Sequence, residues 1–355
     1  PEPVSELAGC DPSSLTDALL CSTQPRVLRG LVAHWPAVQA ALQSPPAAAD
    51  HLRQFYRDEP VVAWFGAPDI NGRFFYNDAF SGFNFRVERL GLAHVLDQLA
   101  ACADQQPAPA IYVGSTTVDS CLPGFRAHND LPFGSREPLA SVWIGNRTRI
   151  AAHQDVPDNL ACVVAGRRRF TLFPPEQVAN LYVGPLDFTP AGQAISLVDF
   201  ARPDFDRYPR FAQALAHARV VELAPGDALF IPGLWWHHVE ALDSFNVLLN
   251  YWWRRSPAYM DTPMNALMLA IMCVRDLPAH ERGSVQRQLP CLRLAVPSVV
   301  SADHRDPQGP CLPTLSETHG DHVLAVPVPP GPEAPLATGL GHHDSRHASL
   351  PLGGV

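Results

Sequence analysis

Two stretches of the chain carry side chains that could meet at one metal ion. The first is Ala152-His153-Gln154-Asp155, and the second is Pro232-Gly233-Leu234-Trp235-Trp236-His237-His238. On a β-strand, residues i and i+2 share a face, so His153 and Asp155 can aim an imidazole nitrogen and a carboxylate oxygen at one point. A histidine from a remote strand, 84 positions on at His237 (237 minus 153), would complete a facial set of two imidazoles and one carboxylate. That donor set leaves coordination positions open and is the pattern of non-haem Fe(II) oxygenases. A lone H-x-D triplet is weak evidence, since most such triplets are surface polar residues. Here it lies between Arg149-Ile150-Ala151-Ala152 and Leu160-Ala161-Cys162-Val163-Val164. Ionisable groups inside apolar, strand-like runs need partners or a metal.

The elements that must position these residues lie between 139 and 253. Short strands with turns between them are expected at 141–145, 149–155, 159–165, 168–173, 194–198, 218–223, 227–231, 237–242 and 245–253. Gly166 and Pro225-Gly226-Asp227 sit at turns, and a helix is expected at 211–217 within the insert 173–219. Many short strands at regular spacing indicate a mainly β sandwich or jelly roll. The expected fold class is a double-stranded β-helix (cupin or jelly-roll barrel), with the H-x-D segment and the late histidine on facing strands at one open end.

Residues 1–60 read as α/β entry elements: a strand near 24–30 and helices at 36–42 and 47–56. Strands follow at 61–65 and 111–113. Leu90, Leu92, Val95, Leu96 and Leu99 make an amphipathic stripe that predicts a helix over 87–102. Residues 260–283 read as one apolar helix, buried against the barrel or a second copy of the chain. The division expected is 1–256 for the barrel domain, 257–285 for a C-terminal helical segment and 286–355 for a disordered tail. Every Phe, Trp and Tyr lies before residue 260, and six of the fifteen histidines lie after 285. Among these, His342, His343 and His347 read as solvated rather than as metal ligands.

Composition narrows the function classes. A net charge of −9 with a pI near 5.9 argues against a general nucleic-acid surface. No run of apolar residues reaches the roughly 18 that a membrane span needs. The chain opens at Pro1 without a basic-then-apolar leader. The cysteines at 10, 21, 102, 121, 162, 273, 291 and 311 form no C-x-x-C pair, so neither a zinc ribbon nor a disulfide framework is expected. Idle thiols in a reducing cytoplasm fit that scatter.

Longer strings then extend the pattern: Gly166-Arg167-Arg168-Arg169-Phe170-Thr171-Leu172-Phe173-Pro174-Pro175, Gly226-Asp227-Ala228-Leu229-Phe230-Ile231-Pro232, Trp235-Trp236-His237-His238-Val239 and Asn250-Tyr251-Trp252. With Leu28-Arg29-Gly30-Leu31 and Trp35-Pro36, and over roughly residues 25–256, the chain resembles the JmjC/cupin-8 family of Fe(II)- and 2-oxoglutarate-dependent oxygenases, its asparaginyl hydroxylases included. The resemblance implies His153, Asp155 and His237 as iron ligands, with His238 a hydrogen-bonded flank residue pointing away. It implies a cation for the distal carboxylate of 2-oxoglutarate. The position matching the family's lysine is Arg168, whose fork can grip a carboxylate with two hydrogen bonds; Arg167 and Arg169 are the alternatives. Tyr112 matches a tyrosine on the same carboxylate, Asn159 and Asn250 match polar residues near the cosubstrate, and Trp252 supplies barrel wall. Two positions depart: Ile150 stands where the family has a threonine, and Gln154 where an aromatic residue is frequent, at the pocket rim.

The activity so implied is hydroxylation of a C–H bond, most often on a protein or peptide side chain, with small molecules also open. Aromatic loops at 74–85 and 182–188 are expected at the mouth of a substrate groove, or else in the core. Related enzymes dimerise through C-terminal helices, so 260–283 implies a homodimer. The competing readings are a non-catalytic metal-binding cupin acting as scaffold or sensor, which Ile150 and the lysine-to-arginine exchange favour, and a cupin isomerase that needs no iron.

Overall fold

A computed structural model describes residues 3–257, 260–285 and 287. The described chain divides after Arg255 into two units, which are taken separately.

In the first unit the strands are β1 (Ser5–Leu7), β2 (Arg26–Leu28), β3 (Pro60–Gly66), β4 (Arg73–Phe74), β5 (Phe85–Gly91), β6 (Ala110–Thr117), β7 (Leu139–Gly145), β8 (Arg149–Gln154), β9 (Asp158–Ala165), β10 (Arg168–Phe173), β11 (Arg219–Leu223), β12 (Ala228–Ile231), β13 (Trp236–Ala241) and β14 (Asn246–Trp253). The large sheet runs β1-β2-β12-β9-β14-β7-β6-β3-β5 and the small sheet β11-β10-β13-β8-β4. Strands β7 to β14 are shared between the two sheets, mostly in alternation, which is the winding of a double-stranded β-helix. The fold is mainly β and built on this jelly-roll barrel.

Strand alternation sorts the apolar residues into layers. Ala161, Val163, Leu229 and Leu248 of the large sheet meet Phe170, Leu172, Val221 and Leu223 of the small sheet inside the barrel. The opposite face of the large sheet, with Leu160, Cys162, Leu249 and Tyr251, packs on helices Pro36–Gln43, Pro45–Phe55 and Leu92–Ala101. The outer face of the small sheet offers Phe173 and Trp236 to Leu181, Val198 and Phe211 of the insert.

Four expectations change. First, the helix expected over 87–102 is only Leu92–Ala101, because Phe85–Gly91 is β5. That segment pairs with β3 along its whole length, from Pro60↔Gly91 to Gly66↔Phe85, and ladder pairing overrides the helical stripe expected to begin at Leu90. Second, the strand expected at 194–198 is an isolated bridge, Val183↔Ser196, with Ser196 N–H donating to Ala152 O at 2.7 Å. Third, β8 and β13 do not face each other across the barrel. They are hydrogen-bonded neighbours within the small sheet, and His153 lies directly opposite His237.

The fourth change is in the second unit. Pro263–Val274 forms a helix, followed by a break and renewed helix at 279–285. Pro278 has no N–H to give and disfavours helical backbone at Leu277, which splits the expected single helix. None of the residues of Pro263–Val274 is buried; Leu269 is 62% and Met272 77% exposed. The tail expected to be disordered, with His342, His343 and His347, lies outside the described residues. Among the described residues no helix is long and apolar enough to cross a membrane.

Candidate metal centre

His153 is the last residue but one of β8, Asp155 follows that strand, and His237 enters from β13. One ligand atom from each lies within 4.8 Å of the others. The two imidazole rings stand 4.3 Å apart between centroids, and His237 Nε2 is 3.7 Å from Asp155 Oδ2. Each ring is oriented by its own backbone two residues earlier: His153 Nδ1 lies 2.9 Å from Ala151 O, and His237 Nδ1 lies 3.0 Å from Trp235 O. With Nδ1–H donating to a carbonyl, the lone pair of each ring sits on Nε2, available to a cation. Trp252 Nε1 donates to Asp155 Oδ2 at 3.2 Å and fixes the carboxylate. Burial, then the neighbouring His153, pushes the pKa of His237 down to about 4. It is therefore neutral near pH 7, the form that ligates metal.

Backbone stitching holds the two ligand-bearing segments together. Leu234 N–H donates to Asp155 O at 2.7 Å, and Gly233 N–H donates to Asp158 Oδ1 at 2.9 Å. A Cβ on Gly233 would stand 2.4 Å from Val156 O, so only glycine allows this approach. Asp158 in turn pairs with Arg255 Nε at 2.7 Å. Sequence reasoning missed Asp158; its only signal is a carboxylate in an otherwise apolar strand.

The register also explains Ile150. His237 pairs with His153, but Val239 pairs with Ile150, so two steps on β13 oppose three on β8. This bulge puts residues three apart on one face, where simple alternation would separate them. Ile150 thus packs inside with Tyr112 and Trp143.

Arg168 lies on the same inner face. On β10, Leu172 pairs with His237 and Arg168 pairs with Ala241, four residues further from the ligands, about 13 Å along a strand. Arg168 is 3% exposed, and its Nε has no hydrogen-bond partner among the described residues. Burial lowers its pKa to about 10, offset in part by Tyr112, so it stays cationic. A lone cation in a barrel is costly unless an anion joins it. Its neighbours are spoken for: Arg167 pairs with Asp243 at 3.1 Å and Arg169 with Glu222 at 2.6 Å, both on the protein's exterior.

A model of the cupin-like domain matches residues 12–259. The chain belongs to the cupin-like domain family. It is 26% identical over 278 residues to HSPB1-associated protein 1 of Bos taurus, covering 74% of this chain and 54% of that protein. It is 34% identical over 140 residues to the lysine-specific demethylase JMJ31 of Arabidopsis thaliana, covering 37% of this chain and 25% of that one. It is 39% identical over 106 residues to tRNA wybutosine-synthesizing protein 5 of Gallus gallus, covering 30% of each. The chain spans about half or less of the length of these curated relatives.

The remaining expected residues of this cupin-like barrel fall into two groups. Inside, Trp143 Nε1 donates to Asn250 Oδ1 at 2.7 Å and Asn250 Nδ2 donates to Asn159 Oδ1 at 3.2 Å. An indole can only donate, so it fixes the orientation of both amides and turns the Asn159 NH2 away from Asn250. Asn159 stands opposite Trp252, whose indole holds Asp155. Tyr112 is buried near Arg168, and burial raises its phenol pKa, keeping the hydroxyl a donor.

Outside lie His238 and Gln154. His238 pairs with Thr171 on the outer face and stacks on Phe200 with centroids 4.6 Å apart. It is not the hydrogen-bonded flank residue expected, since Nδ1 has no partner among the described residues. Burial lowers its pKa to about 3. Gln154 lies opposite Trp236, so it faces away from the ligands and not onto the pocket rim. The aromatic loops mostly pack on each other: Phe83 and Phe188 stack at 4.9 Å and Tyr76 OH donates to Phe188 O at 2.7 Å.

Proposed function

We propose that this chain is an Fe(II)- and 2-oxoglutarate-dependent oxygenase that hydroxylates a C–H bond on a protein or peptide side chain. The observation that carries this is Arg168, a buried guanidinium without a carboxylate partner among the described residues, on the same barrel face as the His153–Asp155–His237 triad. Donor set and orphaned cation together fit a metal that is chelated by one end of a dicarboxylic keto acid whose other end needs a positive charge. Iron(II) and 2-oxoglutarate, when bound, supply O2-dependent oxidation coupled to decarboxylation to succinate and CO2.

The chain's own residues do the rest. The two imidazoles present neutral Nε2 donors, and Asp155, steadied by Trp252, lowers the charge of the centre. Arg168 selects a dicarboxylate by bidentate hydrogen bonding, with Tyr112 as a further donor. Asn159, locked through Asn250 and Trp143, offers one NH2 toward the ligand end of the barrel. The apolar walls exclude water and hold the reactants together. A protein substrate accords with the names of relatives that associate with HSPB1 or demethylate lysine. In this reading residues 1–256 are the catalytic domain, and the exposed apolar residues of Pro263–Val274 pair two copies of the chain.

Anaerobic titration of 2-oxoglutarate into the Fe(II)-loaded protein should give a visible charge-transfer band, and aerobic incubation should release succinate. Both should be lost in His153→Ala. Absence of both in the intact protein would overturn the proposal. Retention of metal without 2-oxoglutarate affinity would instead support a non-catalytic metal-binding cupin, the reading favoured by the inward, hydroxyl-free Ile150.

A further inference from the structure

A cavity of about 740 Å³ opens beside β4, and none of the three triad residues lines it. Its volume is within the range of roughly 300–1,000 Å³ typical of small-molecule sites. An uneven charged triplet reaches into the cavity. Asp199 gives its close ion pair to Arg149, at 3.0 Å, and only a 4.0 Å contact to Arg73. Two guanidinia thus share one carboxylate, with Arg73 the less tightly paired of the two, and Arg202, Arg207 and Asp204 also line the cavity. Arg73 lines the cavity, its guanidinium lies 3.7 Å over the Phe75 ring, and its one hydrogen bond goes from Nη2 to Leu197 O at 3.3 Å. Among the described residues Nε makes no hydrogen bond and Nη1 only the 4.0 Å contact to Asp199, so both have donor capacity for an anion. The carboxylates of Asp69 and Asp78 stand exposed in the same lining.

The wall is aromatic and partly strained. Phe80 holds a left-handed backbone, φ 52°, which a bulky residue rarely adopts. It is 38% exposed, and its ring stacks on Tyr76 with centroids 5.1 Å apart. Tyr208 lines the cavity as well, with Arg207 over its ring at 5.3 Å. Strain at a solvent-facing aromatic, in the same cavity as a half-buried arginine with only a long ion-pair contact, points to a binding site.

We propose that this cavity is a second ligand site, distinct from the metal centre, for a small molecule that joins a flat ring to a carboxylate or phosphate. The anion sits on Arg73 and the ring lies against the exposed Phe80. The test is calorimetric titration of the intact protein with AMP, indole-3-acetate, adenosine and inorganic phosphate. AMP or indole-3-acetate should bind at least about tenfold more tightly than adenosine or phosphate alone, as expected when ring and charge both contribute. Preference for AMP assigns a phosphate ligand, and preference for indole-3-acetate a carboxylate. Arg73→Gln should weaken that binding roughly tenfold or more. Phe80→Gly, which relieves the backbone strain and so keeps the fold, should also weaken it, while His153→Ala should leave it unchanged. Equal binding of all four compounds, no heat from any of them, or full retention in Phe80→Gly would overturn the proposal.

Discussion

The two faces of the small sheet treat the same residue types in opposite ways. Across β10, Arg167 and Arg169 reach acidic partners at the surface, while Arg168 between them enters the barrel and meets none among the described residues. Across β13, His237 turns inward with Nε2 near Asp155, while His238 turns outward and stacks on Phe200. A one-residue step along a strand exchanges faces, so position in the pleat, not residue type, separates structure from candidate chemistry. The outer face satisfies its charges with protein; the inner face leaves its donors open.

The largest effect should come from exchanging the two histidines for alanine. His237→Ala removes one of the three proposed ligands and should weaken Fe(II) or Co(II) binding by about a hundredfold or more, since losing even an outer partner of a metal site costs 10- to 100-fold. His238→Ala should leave metal affinity within roughly threefold, because additivity holds for sites without shared ligands. Equal losses in calorimetric titrations would erase the distinction between the faces.

Arg168→Met tests the arginines and makes an unusual pair of predictions. Affinity for 2-oxoglutarate should fall about 10- to 100-fold, the worth of a charge-assisted bidentate contact. The ligand-free protein should be as stable as wild type or more so, because an unpaired buried charge is replaced by an apolar chain. Arg169→Met, at a side chain 40% exposed, should change stability by less than about 1 kcal/mol and leave the cosubstrate affinity alone. A destabilised Arg168→Met with unchanged affinity would make Arg168 a structural residue.

Acid sharpens the comparison further. His237 and His238 have folded pKa values of about 4 and about 3, both below the ordinary 6.5 of histidine. The unfolded chain therefore takes up protons first, and stability is full above about 6.5 and falls as the pH drops toward those values. Each histidine contributes a slope of up to about 1.4 kcal/mol per pH unit. Urea midpoints between pH 7 and 5 should show this loss, and His238→Leu should flatten it. Saturating metal should raise the stability but leave this slope between pH 7 and 5 in place, because the folded imidazole is already unprotonated there. An unchanged slope in His238→Leu would mean that water reaches the outer face.

Much of this contrast was legible in the sequence, because period-two alternation is local. It separated His237 from His238 and Arg168 from its neighbours. What failed was non-local. The bulge that brings Ile150 and His153 to one face depends on β13 as well as β8. Leu90 lies in register with the helical stripe of the residues after it, yet β3 pairs with 85–91 throughout. The adjacency of β8 and β13, and the Asp158 contact that ties Gly233 down, likewise come from segments distant in the chain.

The smallest effect expected is also the finest probe of the inner face. Trp143 anchors Asn250 and, through it, Asn159. Trp143→Phe keeps a ring in the wall but removes the donor, so both amides become free to flip. The lost hydrogen bond should cost about 1 kcal/mol in chemical denaturation. If the Asn159 NH2 contacts the cosubstrate, 2-oxoglutarate binding should weaken only a few-fold, because the correct amide orientation remains one of two populated states. That loss should be smaller than the roughly 10- to 100-fold loss in Arg168→Met, since a neutral hydrogen bond is worth roughly half a charged one. Equal losses in the two variants would mean that the amide chain, rather than the buried cation, sets the affinity of the barrel.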